Sequence, residues 1–102
     1  MEESSTQKKA VQIVYKENVN PINNALDVVL KLQGVTYDRK STKKKEAGLI
    51  AEEVEKVLPH VVAYKDNKPD GINYTKIIAY LIESIKSLKT EIDYLKGKIN
   101  NG

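Results

Sequence analysis

With 102 residues the chain is long enough for one small domain and no more. It holds no Cys, Trp or Phe and a single His, which excludes disulfides, thiolate metal sites and His-rich metal sites and leaves the redox compartment unread. The net charge of +3, from 17 basic and 14 acidic residues, is a local excess: Lys43-Lys44-Lys45 in one segment and Lys8-Lys9 in another, without the interleaved aromatics or recognition helix of a nucleic-acid surface.

No apolar run approaches the roughly 18 residues of a membrane span, and no signal-peptide pattern is present, so no membrane partner is expected. No cofactor is expected either, because there is no phosphate loop and no metal-ligand set. The chain reads as a piece of a longer protein.

Residues 1–9 are Met, Glu, Ser, Thr, Gln and Lys, can bury almost nothing, and read as a flexible leader. Residues 10–15, Ala-Val-Gln-Ile-Val-Tyr, have the β-branched and aromatic content of a short strand or extended arm. Asn20-Pro21 predicts a helix start, with Asn20 as cap and Pro21 at the first helical position. Ile22, Ala25, Leu26, Val29, Leu30 and Leu32 make its apolar face, Asn23, Asn24, Asp27 and Lys31 lie outside it, and Gly34 is expected to end it.

Val35-Thr36-Tyr37-Asp38 has strand chemistry, and residues 39–46 form a charged loop suited to a hairpin tip or to a connection that tolerates length changes. Residues 48–59 contain a second helix with Ile50, Val54, Val57 and Leu58 on one face. Glu52, Glu53 and Glu55 come early and Lys56 late, as the helix dipole favours, and Pro59 stops the helix. His60 reads as a surface group or a dipole partner at that helix end. Val61-Val62-Ala63-Tyr64 is a second strand candidate, residues 65–70 a turn followed by Gly71, and Ile72-Asn73-Tyr74 an extended entry to a long helix. The 35–38 and 61–64 segments are candidates to pair as a small sheet, with 72–74 joining one of them.

The tail carries the clearest pattern. Tyr74, Ile78, Leu81, Ile85, Leu88, Ile92, Leu95 and Ile99 recur in alternating steps of four and three, the coiled-coil period. The Ile set occupies position a and the Tyr/Leu set position d of the heptad. Such a helix is about 39 Å long, and its seam gains from finding other helices. Glu91 at g and Lys96 at the following e have the spacing at which parallel helices exchange charge. Upstream the flanks are apolar, Ile77 at g and Ile82 at e, which widens the seam for a third helix or for the preceding domain. Ile at a with Leu at d taken alone prefers a parallel dimer, so the heptads leave two and three strands both open.

The order of motifs then resembles a known family. Lys16-Glu17-Asn18-Val19, Asn20-Pro21-Ile22, Ala25-Leu26, Val35-Thr36-Tyr37, Gly48-Leu49-Ile50-Ala51-Glu52-Glu53-Val54, Leu58-Pro59 and Gly71-Ile72-Asn73-Tyr74 follow one another with fitting gaps. Together they are similar to the C-terminal intramolecular chaperone domain of phage tail spikes, endosialidases and neck appendage proteins, also called the peptidase S74 domain, with a relative in the myelin regulatory factor family. The resemblance runs from about Tyr15 to Leu95. It implies a domain that trimerises through its long helix and brings the upstream part of the same polypeptide into register. After that part has folded, the domain releases itself by autoproteolysis just before a Ser. It implies a virion precursor assembled in the host cytoplasm, and a Ser–Lys dyad in which a neutral Lys serves as base for the Ser hydroxyl.

The family pattern for that dyad is Ser-Asp-x-Arg-x-Lys-x-Asn-Ile. Lys16, Asn18 and Val19 match its end, but Val11 stands where the Ser belongs, Gln12 where the Asp belongs and Val14 where the Arg belongs. Either this copy does not cut, or cutting uses another Ser; Ser4 and Lys9 carry the right spacing without the Asn-Val that should follow. The candidate catalytic residues are thus Lys16, Ser4 and Lys9, and the candidate trimer interface is the Tyr74-to-Ile99 seam.

The expected architecture is α+β. A leader over 1–9 precedes a small domain over 10–73, with short helices and a small β-sheet. A C-terminal helix over 74–102 follows and forms a parallel trimeric coiled coil, so the expected partner is a second and third copy, with no nucleic acid. The rival functions are an active self-cleaving Ser–Lys protease and a dimeric coiled-coil adaptor.

Overall fold

The computed structural model describes residues 13–101. Two short helices and two β-hairpins pack against the first turns of one long helix. In chain order, a 3-10 turn over Ile13–Tyr15 precedes α1 (Ala25–Val29), β1 (Val35–Asp38), β2 (Lys45–Gly48), α2 (Ala51–Val57), a second 3-10 turn (Pro59–Val61), β3 (Val62–Lys65), β4 (Lys68–Ile72) and α3 (Tyr74–Asn101). This is the small α+β domain with a long C-terminal helix that the sequence predicts.

The sheet pairing differs from the prediction. β1 and β3 do not pair with each other; each pairs with its own sequence neighbour. β1 runs antiparallel to β2, with Val35 opposite Gly48 and Asp38 opposite Lys45. β2 reads Lys-Glu-Ala-Gly and has none of the β-branched or aromatic residues that mark a strand. It is held by its partners across the hairpin: Tyr37 donates to Glu46 at 2.9 Å, Arg39 forks onto the same carboxylate at 3.0 and 2.8 Å, and Lys45 lies 3.4 Å from Asp38.

β3 pairs with β4 through Val62–Ile72 and Lys65–Lys68, with an irregularity at Ala63/Tyr64. The turn expected over 65–70 is shorter. Asp66 and Asn67 both take left-handed backbone, at φ 53 and 64, the signature of a two-residue hairpin turn whose twist matches its strands. Pro69 and Gly71 therefore lie inside β4, tolerated because every strand of a two-stranded sheet is an edge. Ile72 does join β3, as one of the expected alternatives had it.

Three further expectations are corrected. Ile13–Tyr15 is a 3-10 turn, not a strand, while residues 10–12 lie outside the described residues. The first helix does not start at Asn20-Pro21. Asn20 donates its amide to the Asn18 carbonyl at 2.9 Å, and α1 begins only after Asn24, itself left-handed at φ 60 and without a side-chain cap bond. An Asn side chain that bonds nearby backbone competes with helix, and the left-handed backbone at Asn24 interrupts a right-handed one. α1 also ends early, at Val29, with the Lys31 and Leu32 amides closing tighter turns onto Val28 and Val29. Gly34 therefore leads into β1 and ends no helix, and Leu30, assigned to the apolar face, is 73% exposed. Val28 packs on the core instead.

α2 falls within the expected 48–59 stretch, although Ile50, assigned to its apolar face, is its N-cap and not one of the core residues. Val54 and Leu58 are buried, and Val57 packs beside them. With Val61, Val62 and Ile77 they form the core, walled by Val28, Leu32, Leu49, Ile72 and Tyr80. Ile77 is the contribution of α3. Its buried neighbours along the same flank include Ser84, whose hydroxyl donates to the Tyr80 carbonyl at 2.8 Å. Ala25, 2% exposed, is the buried residue of α1, which packs directly on α3. A small residue buried on each helix lets the two axes approach closely.

His60 sits exposed in the second 3-10 turn, as a surface group. Its ring nitrogen Nε2 lies 3.3 Å from the Tyr80 hydroxyl, and its carbonyl accepts from Lys76 at 3.2 Å. It thus fastens that turn to the outside of α3.

Candidate functional site

The feature with most functional content is the face of α3 that the domain leaves uncovered. The helix start is fixed locally. Asn73 caps it, its side-chain oxygen accepting from the Lys76 amide at 3.2 Å, while its own amide donates to Val61 at 2.8 Å. From that start the flank carrying Ile77, Tyr80 and Ser84 is laid on the domain. The seam lies beside that flank, turned away from the core by roughly a quarter of the helix circumference.

In the single chain the seam is therefore open. Tyr74, Ile78, Leu81, Ile85, Leu88, Ile92, Leu95 and Ile99 are between 40% exposed at Leu81 and 77% exposed at Ile99. Ile82, at the e flank, is 51% exposed. The remaining positions carry polar pairs: Lys86 reaches Glu83 at 3.3 Å, Lys89 at the e flank reaches Asp93 at 2.7 Å, and Lys98 at the g flank lies 5.5 Å over the Tyr94 ring. Solvated pairs of this kind add little stability.

Tyr74 has a second task. Its hydroxyl accepts from the Leu49 amide at 3.1 Å, tying the first turn of α3 to the segment between β2 and α2. A Cβ at Gly48 would stand 2.9 Å from that oxygen, so Gly48 is what lets the ring in. Tyr74 also separates two grooves. One, of about 790 Å³, is apolar and lined among others by Val29, Leu32, Val35, Leu49, Ile77 and Leu81. The other, of about 360 Å³, is more polar, with Tyr37, Arg39, Glu52 and Asp70 among its walls.

The perturbed ionisable groups belong to structural pairs. Hydrogen bonds from Arg39, then Tyr37, hold the Glu46 carboxyl below its ordinary value of 4.5. The same bond pushes the Tyr37 hydroxyl up, and its bond to Glu46 pushes Arg39 up. Tyr64 is raised likewise by donating to Glu55 at 2.6 Å. None of these is a nucleophile beside a base. Lys16 lies in the exposed segment after the first 3-10 turn. Ser4, Lys9 and Val11 lie outside the described residues. Among the described residues there is no group of three His, Cys, Asp or Glu able to hold a metal ion, and no helix is long and apolar enough to cross a membrane.

Sequence reasoning did not single out Tyr80 or Ser84, and it named Asn73 only within a motif, not as a helix cap. The signal for Asn73 was present, a capping residue three before Lys76. For Ser84 it was a small residue at a g position directly after the apolar g residue Ile77.

Comparison with known proteins places the chain. Residues 13–63, half of its length, match the family model described as chaperone of endosialidase, peptidase S74. Long tail fiber protein Gp37 of Enterobacteria phage K3 is 37% identical over 93 residues, a stretch covering 82% of this chain and 8% of that protein. Its counterpart in phage T2 is 37% identical over 93 residues, with 82% and 7% covered, and that in phage M1 is 35% identical over 85, with 72% and 33% covered. The chain thus spans less than a tenth of the length of the first two.

The Tyr74–Gly48 contact gives a double-mutant prediction. Tyr74→Phe should cost about 1 kcal/mol by removing the partner of the Leu49 amide. Gly48→Ala should displace the ring and cost a similar amount, but much less in the Tyr74→Phe background. Urea unfolding of the four proteins measures this; fully additive costs would show that the two residues do not act on one contact.

Proposed function

Because this chain belongs to the chaperone-of-endosialidase family, we propose that it is the assembly-guiding domain of a phage tail fibre and works by bringing three copies of itself together through α3. The observation that carries this reading is the seam: eight heptad positions on one 28-residue helix, each 40–77% exposed, beside a domain that has used only the neighbouring flank. Such a stripe is the surface of a parallel coiled coil. Three strands are favoured over two because Ile82 widens the seam beyond a and d and is 51% exposed. Glu91 and Lys96 at g and e set the parallel sense.

The relatives are long tail fibre proteins, and this chain matches a small part of each. The function proposed for that part is mechanical. Three copies of α3 that zip in parallel fix the register and proximity of three upstream chains, so a fibre whose strands come from three polypeptides starts in alignment. Domains 10–73 and 74–102 then act as one unit, with the helix as zipper and the small domain as its collar, and residues 1–9 as the link upstream. Assembly takes place in the host cell, before the virion is complete.

Trimer formation needs the seam and the collar but not the dyad. In the matched register the nucleophile is replaced by Val11, and the remaining member, Lys16, is exposed. This copy therefore guides assembly without cutting itself at that position.

Two outcomes follow. Ile85→Asp or Leu88→Asp places a charge in the seam and should give monomers sedimenting as about 11.5 kDa; a variant that stays trimeric in the ultracentrifuge would show that the seam is not the interface. A precursor extended upstream should keep its full intact mass after assembly. A fragment beginning at Ser4 would instead establish cutting by the Ser4–Lys9 pair, and one beginning at Ser5 cutting at that neighbouring Ser.

A further inference from the structure

The apolar groove beside α3 has a feature the seam alone does not explain. It is bounded by Val29 and Leu32 on one side, by Val35 and Leu49 on another, and by Ile77 and Leu81 of α3 as its floor. Leu81 belongs to the seam and Ile77 to the core. The groove is thus continuous with the seam on its g side, where the collar domain stands.

In a parallel coil each g position faces the e position five residues on in the adjacent chain. Ile77 then lies opposite Ile82 of the next copy, Ser84 opposite Lys89, and Glu91 opposite Lys96. The residue types change where the collar ends. At the level of the collar, g is Ile77 or Ser84, both buried, and e is Ile82. Beyond it, g is Glu91 or Lys98 and e is Lys89 or Lys96, all exposed. The apolar e residue occurs once, at the one level where the facing g flank is covered by a domain with an open apolar groove.

We infer that the groove is the docking site for Ile82 of a second copy, together with the turn of helix that carries it. This rests on the parallel association proposed above and adds a contact to it: each collar grips the helix of its neighbour as well as its own. The seam then sets the number of chains, while the collar contact locks the helices in register from outside. A slip of one heptad would put Lys89 against the groove, at the cost of burying a lysine among Val, Leu and Ile side chains.

The absence of cysteine makes the test direct. Val35→Cys and Ile82→Cys are made in separate full-length chains of different tag length, coexpressed and oxidised. A disulfide requires Cα atoms within about 7 Å, so it forms only if the two positions meet. The expected result is a linked pair containing one chain of each kind, and no linked pair when either variant is expressed alone. Leu32→Cys in place of Val35→Cys reads the opposite wall should the first variant fail to fold. Leu95→Cys, in the seam beyond the collar, is the control and should link to itself. Linkage through Leu95→Cys without linkage through either groove cysteine overturns the collar contact and leaves the assembly reading standing. Failure of Leu95→Cys to link, with a single-chain mass in solution, overturns both.

Discussion

The constraint on which this protein turns is a mismatch between one helix and one small domain. α3 is 28 residues long, and the domain covers only the flank of its first turns, through Ile77, Tyr80 and Ser84. The stripe that repeats every three and four residues is left in water. Burying an Ile or Leu side chain completely is worth about 1.5–3 kcal/mol. Eight positions roughly half exposed or more therefore represent on the order of 10 kcal/mol per chain. Association costs ~4–15 kcal/mol in lost freedom. The two are of the same size, so the exposed stripe is a driving force large enough to offset the cost of association.

The rest of the architecture serves to leave that stripe free. The core is small: Val54, Leu58, Val61, Val62 and Ile77 form it, and only Ile77 comes from α3. Small buried residues, Ala25 on α1 and Ser84 on α3, seat the two helices close together, so the domain hugs one flank without spreading over the next. Tyr74, tied to the Leu49 amide past Gly48, pins the rotation of the helix relative to the hairpin. Asn73 fixes where the helix begins. Together these contacts determine which stripe faces outward, and that is the property an assembly device needs. In a family named for chaperoning endosialidase, with tail fibre proteins among its relatives, an outward seam on a compact collar gives that role a physical basis.

The parts legible in the sequence were those written as periodicity. The seam of α3, the place of α2 and the strand at Val35–Asp38 follow from apolar spacing and from flanking residues. The parts that were not legible depend on contacts between distant positions or on backbone conformations that several residue types can adopt. β2 has the composition of a loop and is a strand through its pairing with β1, with Tyr37 and Arg39 bonding Glu46 across the hairpin. The Asp66–Asn67 turn needs two left-handed residues, and Asn-Lys-Pro-Asp-Gly nearby offered a longer turn equally well. Asn20-Pro21 had the chemistry of a helix start, but Asn20 spends its amide on the Asn18 carbonyl and Asn24 takes left-handed backbone, so the helix begins only at Ala25. For the site, the heptads gave the seam, while its neighbouring flank was split: Ile77 went to the domain and Ile82 stayed outside. That Val11 stands where the resemblance would place a Ser was visible in the sequence alone, whereas the exposure of Lys16 required the structure.

The measurement that bears most directly on the central claim is the absolute mass of the purified chain by light scattering across a range of concentrations. The account predicts a species of three times the 11.5 kDa chain mass that persists on dilution to the low micromolar range. A folded, helical species of single-chain mass at high micromolar concentration would contradict it, because the stripe on α3 would then be stable in water without being shared.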